Sequence, residues 1–186
     1  MSKKVIIIGA VILLLVAIGG GVFYWWQSGK ELREINKDLP SGVKAEKKDD
    51  QSILQNEAEG YEIKIPDGWG GIDNAEYTGE VGSGQFSIKS KETDEWVSIF
   101  TFNDVKQPDF HTWVEQHLKE FEGMRFFSPI ITGEETLNGH EVIKVRDVNP
   151  TGTFYFYFVK NGSKVLEIYT DYSENAVREV VSNIEF

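Results

Sequence analysis

The 186-residue chain contains no cysteine. That absence removes disulfides, a thiolate nucleophile, cysteine-based zinc sites and a lipidated-cysteine anchor. It fits any redox compartment and identifies none. Histidine is almost as scarce, with three positions in all. Cations are the third shortage: 19 Lys and Arg face 30 Asp and Glu, for a formal charge of −11. The shortage is local. Residues 1–58 carry 8 Lys/Arg and 7 Asp/Glu, a net +1, whereas residues 59–186 carry 11 and 23, a net −12. So acidic a surface repels phosphate backbones, which argues against nucleic acid as a partner. It is equally unsuited to docking on anionic lipid, and it favours solubility.

What the chain has in plenty is apolar sequence near its start. Residues 5–26, VIIIGAVILLLVAIGGGVFYWW, are 22 residues without a charge. As a helix they would rise about 33 Å, enough for a hydrocarbon core. Lys3 and Lys4 precede the run, and Tyr24, Trp25 and Trp26 sit where an interfacial aromatic belt belongs. A cleaved signal peptide competes with this reading, since Ala17 and Gly19 could precede a cut. The apolar run, however, continues past them to Trp26. The expectation is a transmembrane signal anchor with its short basic N-terminus (residues 1–4) in the cytoplasm and the rest of the chain outside it.

Residues 27–58 read as a charged linker. KELREINKDL shares a face through Leu32, Ile35 and Leu39, Pro40-Ser41-Gly42 breaks it, and AEKKDDQ has no apolar period. A hydrated stalk is expected there.

Residues 59–186 read as one globular domain. In GYEIKIPDGWG, Tyr61, Ile63 and Ile65 alternate with Glu62 and Lys64; Pro-Asp-Gly then stops the strand, and Trp69 is expected to plug the core. QFSIKS and EWVSIFTF make further strands. PDFHTWVEQHLKEFEG places Phe110, Trp113, Val114, Leu118 and Phe121 at helical spacing behind an Asp109 cap, with Gly123 as the stop. Asn138-Gly139 and Asn161-Gly162 each lie between alternating runs, the strongest short hairpin signal. SENAVREVVSNIEF starts at a Ser173 cap and aligns Ala176, Val177, Val180, Val181 and Ile184. In TFYFYFV the Phe side chains point one way and Tyr155, Tyr157 and Val159 the other. A strand this apolar on both faces should be covered on both. The predicted class is α+β: a largely antiparallel sheet with helices packed on its faces, preceded by one transmembrane helix.

YEIKIPDGW, TLNGHEVIKV, FYFVKNGSKVLEIYT and VVSNIEF, in that order, resemble the fold motifs of the PsbP-like domain family, over residues 59–186. The resemblance implies an α/β/α sandwich. The family ranges from PsbP itself to DcrB-type bacterial envelope proteins and a Ran-binding import factor, with no shared reaction, so it implies no activity and no functional residues. The single anchor and lack of a plastid transit peptide fit a bacterial envelope member.

No catalytic constellation is visible. His111 and Glu115 are four apart, but His111 and His117 are six apart, so there is no HxxxH or HExxH pair. His117 falls within the apolar stripe, as a core histidine with a hydrogen-bonding partner would. His140 reads as an exposed hairpin residue. Ser163 lacks GxSxG, GEVGSG (residues 79–84) lacks the Lys-Ser/Thr of a phosphate loop, and Asp67, Asp73 and Glu76 match no calcium loop. No catalytic, cofactor or metal residue is assigned. The expected role is non-catalytic binding or envelope assembly with a protein partner. The alternatives are small-ligand capture on the aromatic sheet face and a hydrolase using a pocket against the sheet.

Overall fold

A computed structural model describes residues 42–48, 51–66, 68–73, 86–90, 95–103, 109–121 and 127–186, together with isolated positions 30, 32, 33, 36, 37, 39, 93 and 105. Two compact units divide the chain, Met1–Lys37 and Asp38–Phe186. In the first, residues 30, 32, 33, 36 and 37 are helical, and Asn36 Nδ2 donates to the Leu32 carbonyl at 2.7 Å. The apolar run 5–26, with Lys3, Lys4, Tyr24, Trp25 and Trp26, lies outside the described residues.

The second unit holds two antiparallel sheets and two helices. The small sheet has the order β1-β2-β3-β11: Val43–Lys48, Gln51–Asn56, Tyr61–Lys64 and Ile184–Glu185. The large sheet comprises β4 (Trp69–Asp73), β5 (Phe86–Ser90), β6 (Trp96–Phe102), β7 (Pro129–Leu137), β8 (His140–Asn149), β9 (Gly152–Asn161) and β10 (Lys164–Thr170). Its order is β4-β5-β6-β10-β9-β8-β7. Helix α1 is Phe110–Glu120 and helix α2 is Glu174–Ser182.

Two expectations need correction. The linker reading of residues 27–58 misses a hairpin. Val43 pairs with Asn56 and Ala45 with Leu54, and Leu54 is fully buried. The period-2 signal of β1 rests on two small residues among charged ones, VKAEKK, so composition hid it. The single expected sheet is also two. YEIK belongs to the small sheet, and β4 opens the large one. Between them Pro66 offers no N–H to a ladder, its carbonyl accepts from Trp69 N–H at 3.0 Å, and Gly68 takes φ +83°. The corner passes the chain from one sheet to the other, and Trp69 is buried in the core as its plug.

One core joins both sheets to α2. It contains Leu54 and Ile63 from the small sheet, Ile88, Ile99, Tyr157 and Leu166 from the large one, and Val177, Val180 and Val181 from α2. Ile184, expected on the helix face, is fully buried but sits in β11 opposite Ile63. A second cluster lies on the other face of the large sheet, where Phe110, Val114 and Leu118 of α1 meet Ile143, Val145, Phe156, Phe158 and Val165. Thus β9 is covered on both faces, as its composition requires. Both caps are in place: Asp109 accepts from the N–H groups of His111 (3.2 Å) and Thr112 (3.4 Å), and Ser173 from Ala176 N–H at 3.2 Å. Helix α1 closes at Phe121, two residues before the expected Gly123.

Candidate functional site

Helix α1 has 11 residues, a span of about 16 Å. The sheet it packs on has seven strands, about 29 Å across at ~4.8 Å spacing. The helix alone cannot cover that face. Beside it lies a cavity of 260 Å³.

Its floor is aromatic because three strands present the same parity to it. From β9 come Phe154, Phe156 and Phe158; from β10, Tyr169; from β6, Phe100 and Phe102. Phe100, Tyr169, Phe156 and Phe154 stack in a row, with centroids 5.6, 5.4 and 6.5 Å apart and interplanar angles of 19°, 22° and 29°. Phe127 meets Phe156 edge-on at 6.1 Å, and Phe121 at 5.6 Å. Leu118 and His117 of α1 complete the wall.

Polar groups stand at two corners of this floor. His117 stacks on Trp113 at 5.1 Å and 5°, and its Nε2 lies 3.0 Å from Glu167 Oε2, where the ring N–H donates to the carboxylate. The core-histidine reading holds, with the addition that the ring faces a cavity. Asp147 is fully buried: one oxygen accepts from Ser128 N–H and the other from Asn149 Nδ2, both at 2.8 Å. Asn149 is itself fixed by Thr151. Asp147 pairs with Phe154 across β8–β9, and Glu167 with Phe158 across β9–β10. The two carboxylates therefore sit at diagonal ends of the Phe row, about 13 Å apart along the strand.

Sequence reading missed Asp147, Asn149 and Glu167. The signal was present: Asp147 and Asn149 are in phase with Ile143 and Val145, and Glu167 lies between Val165 and Tyr169 on the same parity. A polar residue in the apolar phase of a strand points inward.

The other candidate residues lie apart from this cavity. His111 does meet Glu115 (Nε2–Oε1 3.4 Å), but Glu134 binds its Nδ1, and that hydrogen bond raises the imidazole's pKa above its ordinary value. Among the described residues no cluster of three or more His, Asp or Glu is arranged to hold a metal ion. The depression around His111 is larger, 430 Å³, but its charged groups are already engaged: Lys160 lies 3.8 Å from Glu141, Glu134 binds His111, Arg178 holds Glu135 and Asp109 caps α1. On the opposite sheet face Tyr157 donates to Glu174 at 3.0 Å, and burial pushes its phenol well up; Arg178 grips Glu135 with two 3.0 Å bonds. That is structural bracing. His140, expected to be exposed, is half-buried with its ring 4.5 Å from that of Phe186. Ser163 is exposed in its turn. Asp67, Glu76 and residues 79–84 lie outside the described residues, as does the side chain of Asp73. No helix among the described residues is long and apolar enough to cross a membrane.

The architecture of two helices on antiparallel sheets is PsbP-like. It is similar to the solution structure of cyanobacterial PsbP (CyanoP) from Synechocystis sp. PCC 6803, with a TM-score of 0.51 over 78% of this chain and 93% of that one. Sequence identity is 12%, so the likeness shows the fold alone. No protein-family model and no curated protein sequence matches the chain.

Proposed function

We propose that this protein is a membrane-anchored bacterial envelope protein whose PsbP-like domain, outside the cytoplasm, is a non-catalytic binding module. The domain takes an apolar ligand into the aromatic cavity beside α1. The observation that carries the binding role is the row of stacked rings lining the cavity, buried at Phe100 and Phe156 and half-buried at Phe154 and Tyr169, which offers apolar surface to a ligand. The cavity has a His–Glu pair, but its described lining includes no Ser, Thr or Lys to serve as nucleophile, which favours binding over hydrolysis. The anchor rests on residues 5–26 and the orientation on Lys3 and Lys4.

Two measurements test the two halves. Protease added to intact spheroplasts should digest the domain; protection until lysis would contradict the orientation. For the binding role, the full chain in nanodiscs is heated with a panel of small aromatic and aliphatic molecules. A ligand at a hundredfold excess over Kd adds about 2.7 kcal/mol, a Tm shift of about 5–10 °C. Phe154→Ala, at a half-buried wall position, should abolish the shift. A panel without a single hit, alongside crosslinking to one envelope protein, would instead favour an assembly module docking elsewhere.

A further inference from the structure

The balance of charge around the cavity narrows the ligand. Its described lining carries two carboxyl groups, Asp147 and Glu167, and no Lys or Arg. Asp147 is fully buried and has no Lys, Arg or His within ion-pair reach among the described residues. Glu167 spends one oxygen on His117; its other oxygen has no protein partner among the described residues. Around them the stacked rings of Phe100, Tyr169, Phe156 and Phe154 supply apolar surface for the body of a ligand. The surrounding domain, residues 59–186, has a net charge of −12.

These features together discriminate between ligand classes. An anion would meet two carboxyl groups and no Lys or Arg, the one lining imidazole, His117, being already engaged by Glu167. A neutral apolar body would strip water from Glu167 and leave its second oxygen unpaired, a cost without return. A cation attached to an apolar body satisfies both needs: its ammonium donates to Glu167 and its body lies on the rings. At ~30 Å³ for each water-sized group, 260 Å³ corresponds to on the order of nine such groups, a single ring with a short chain.

We infer that the cavity selects a small organic monocation with an aromatic or aliphatic body, Glu167 being the group that reads its charge. This deepens the binding role proposed above and rests on it. The probes are phenethylammonium, its neutral counterpart phenethyl alcohol, and phenylacetate, titrated calorimetrically into the full chain in nanodiscs. The ammonium should bind about tenfold tighter than the alcohol, and the carboxylate weakest of the three. Glu167→Gln should shrink the ammonium–alcohol gap to less than about threefold, with circular dichroism checking that the variant is folded. Equal affinity for ammonium and alcohol in the unmutated protein would overturn the charge selectivity while leaving the cavity as a binding site. Absence of binding by all three to folded protein would overturn both. The series in unmutated protein decides the matter even if the variant fails to fold.

Discussion

At the scale of single residues, two exposed ionisable groups on α1 make opposite predictions about pH. The Asp109 carboxyl is held below the ordinary carboxylate range by the Thr112 hydroxyl and by the N–H groups of Thr112 and His111. Its contribution is present in full above the unfolded value, near pH 4, and is lost as pH falls through the lower folded value. Asp109→Asn keeps a capping oxygen without the titration, so its urea midpoint should fall less than that of the unmutated chain between about pH 5 and pH 2. His111 behaves in the opposite sense. Its pKa is raised, chiefly by the hydrogen bond to Glu134, so that contribution is complete below the unfolded value near pH 6.5 and disappears as pH rises through the folded one. Glu134→Gln should therefore destabilise the protein at about pH 5 and be neutral at about pH 9, with an effect that shrinks in high salt. An equal effect at both pH values would show that Glu134 acts by something other than its charge. The caps were legible in sequence because Asp109 and Ser173 stand directly before helical apolar stripes. Asp147 and Glu167 were not, because a polar residue within an alternating strand is ordinarily read as solvent-facing, and only its phase shows otherwise.

At the scale of elements, the hairpin of β1 and β2 decides where the domain begins. Leu54 is fully buried, opposite Ile63 and in one core with the α2 valines. Leu54→Ala should cost about 2–5 kcal/mol, measured by chemical denaturation. If this segment were a hydrated linker, the change would be within about 0.5 kcal/mol. The far end of the domain is tied in by a bond that local sequence patterns do not reveal. Asn138, in the left-handed region at φ +48°, donates from Nδ2 to the Ile184 carbonyl at 2.7 Å. The β7–β8 turn therefore holds β11 in place. Asn138→Gly keeps the turn conformation and loses that bond, so it should destabilise by about 1 kcal/mol. Asn138→Ala, which adds strain at positive φ, should cost more. Asn-Gly identified the turn from sequence; its grip on a strand 46 residues away is long-range and had no local signal. The same holds for Lys164, at the start of β10, which binds the carboxylate of buried Glu59 at 3.1 Å and its carbonyl at 2.7 Å. That contact fastens the turn before β3 to the large sheet.

At the scale of the whole molecule, the described residues cover the two faces of the large sheet unequally. A seven-stranded sheet has α2 and the small sheet against one face, and an 11-residue helix against the other. The sequence made the α+β class legible through its hairpin signals and the doubly apolar β9. It could not reveal the cavity, because Phe100, Phe156 and Tyr169 come together only through the β6-β10-β9 strand order. That order depends on the crossover through α1 and three hairpins, and no spacing in the chain encodes it. The acidic surface, the aromatic floor and the inward carboxyl groups all point to a domain that captures a cation-bearing apolar molecule. Nuclear magnetic resonance of the full chain in nanodiscs, with Phe and Tyr rings labelled and phenethylammonium added, tests this most directly. Intermolecular contacts from the ligand to the rings of Phe154, Phe156 and Tyr169 are expected. Binding whose contacts fall elsewhere, with those rings unperturbed at saturation, would contradict it.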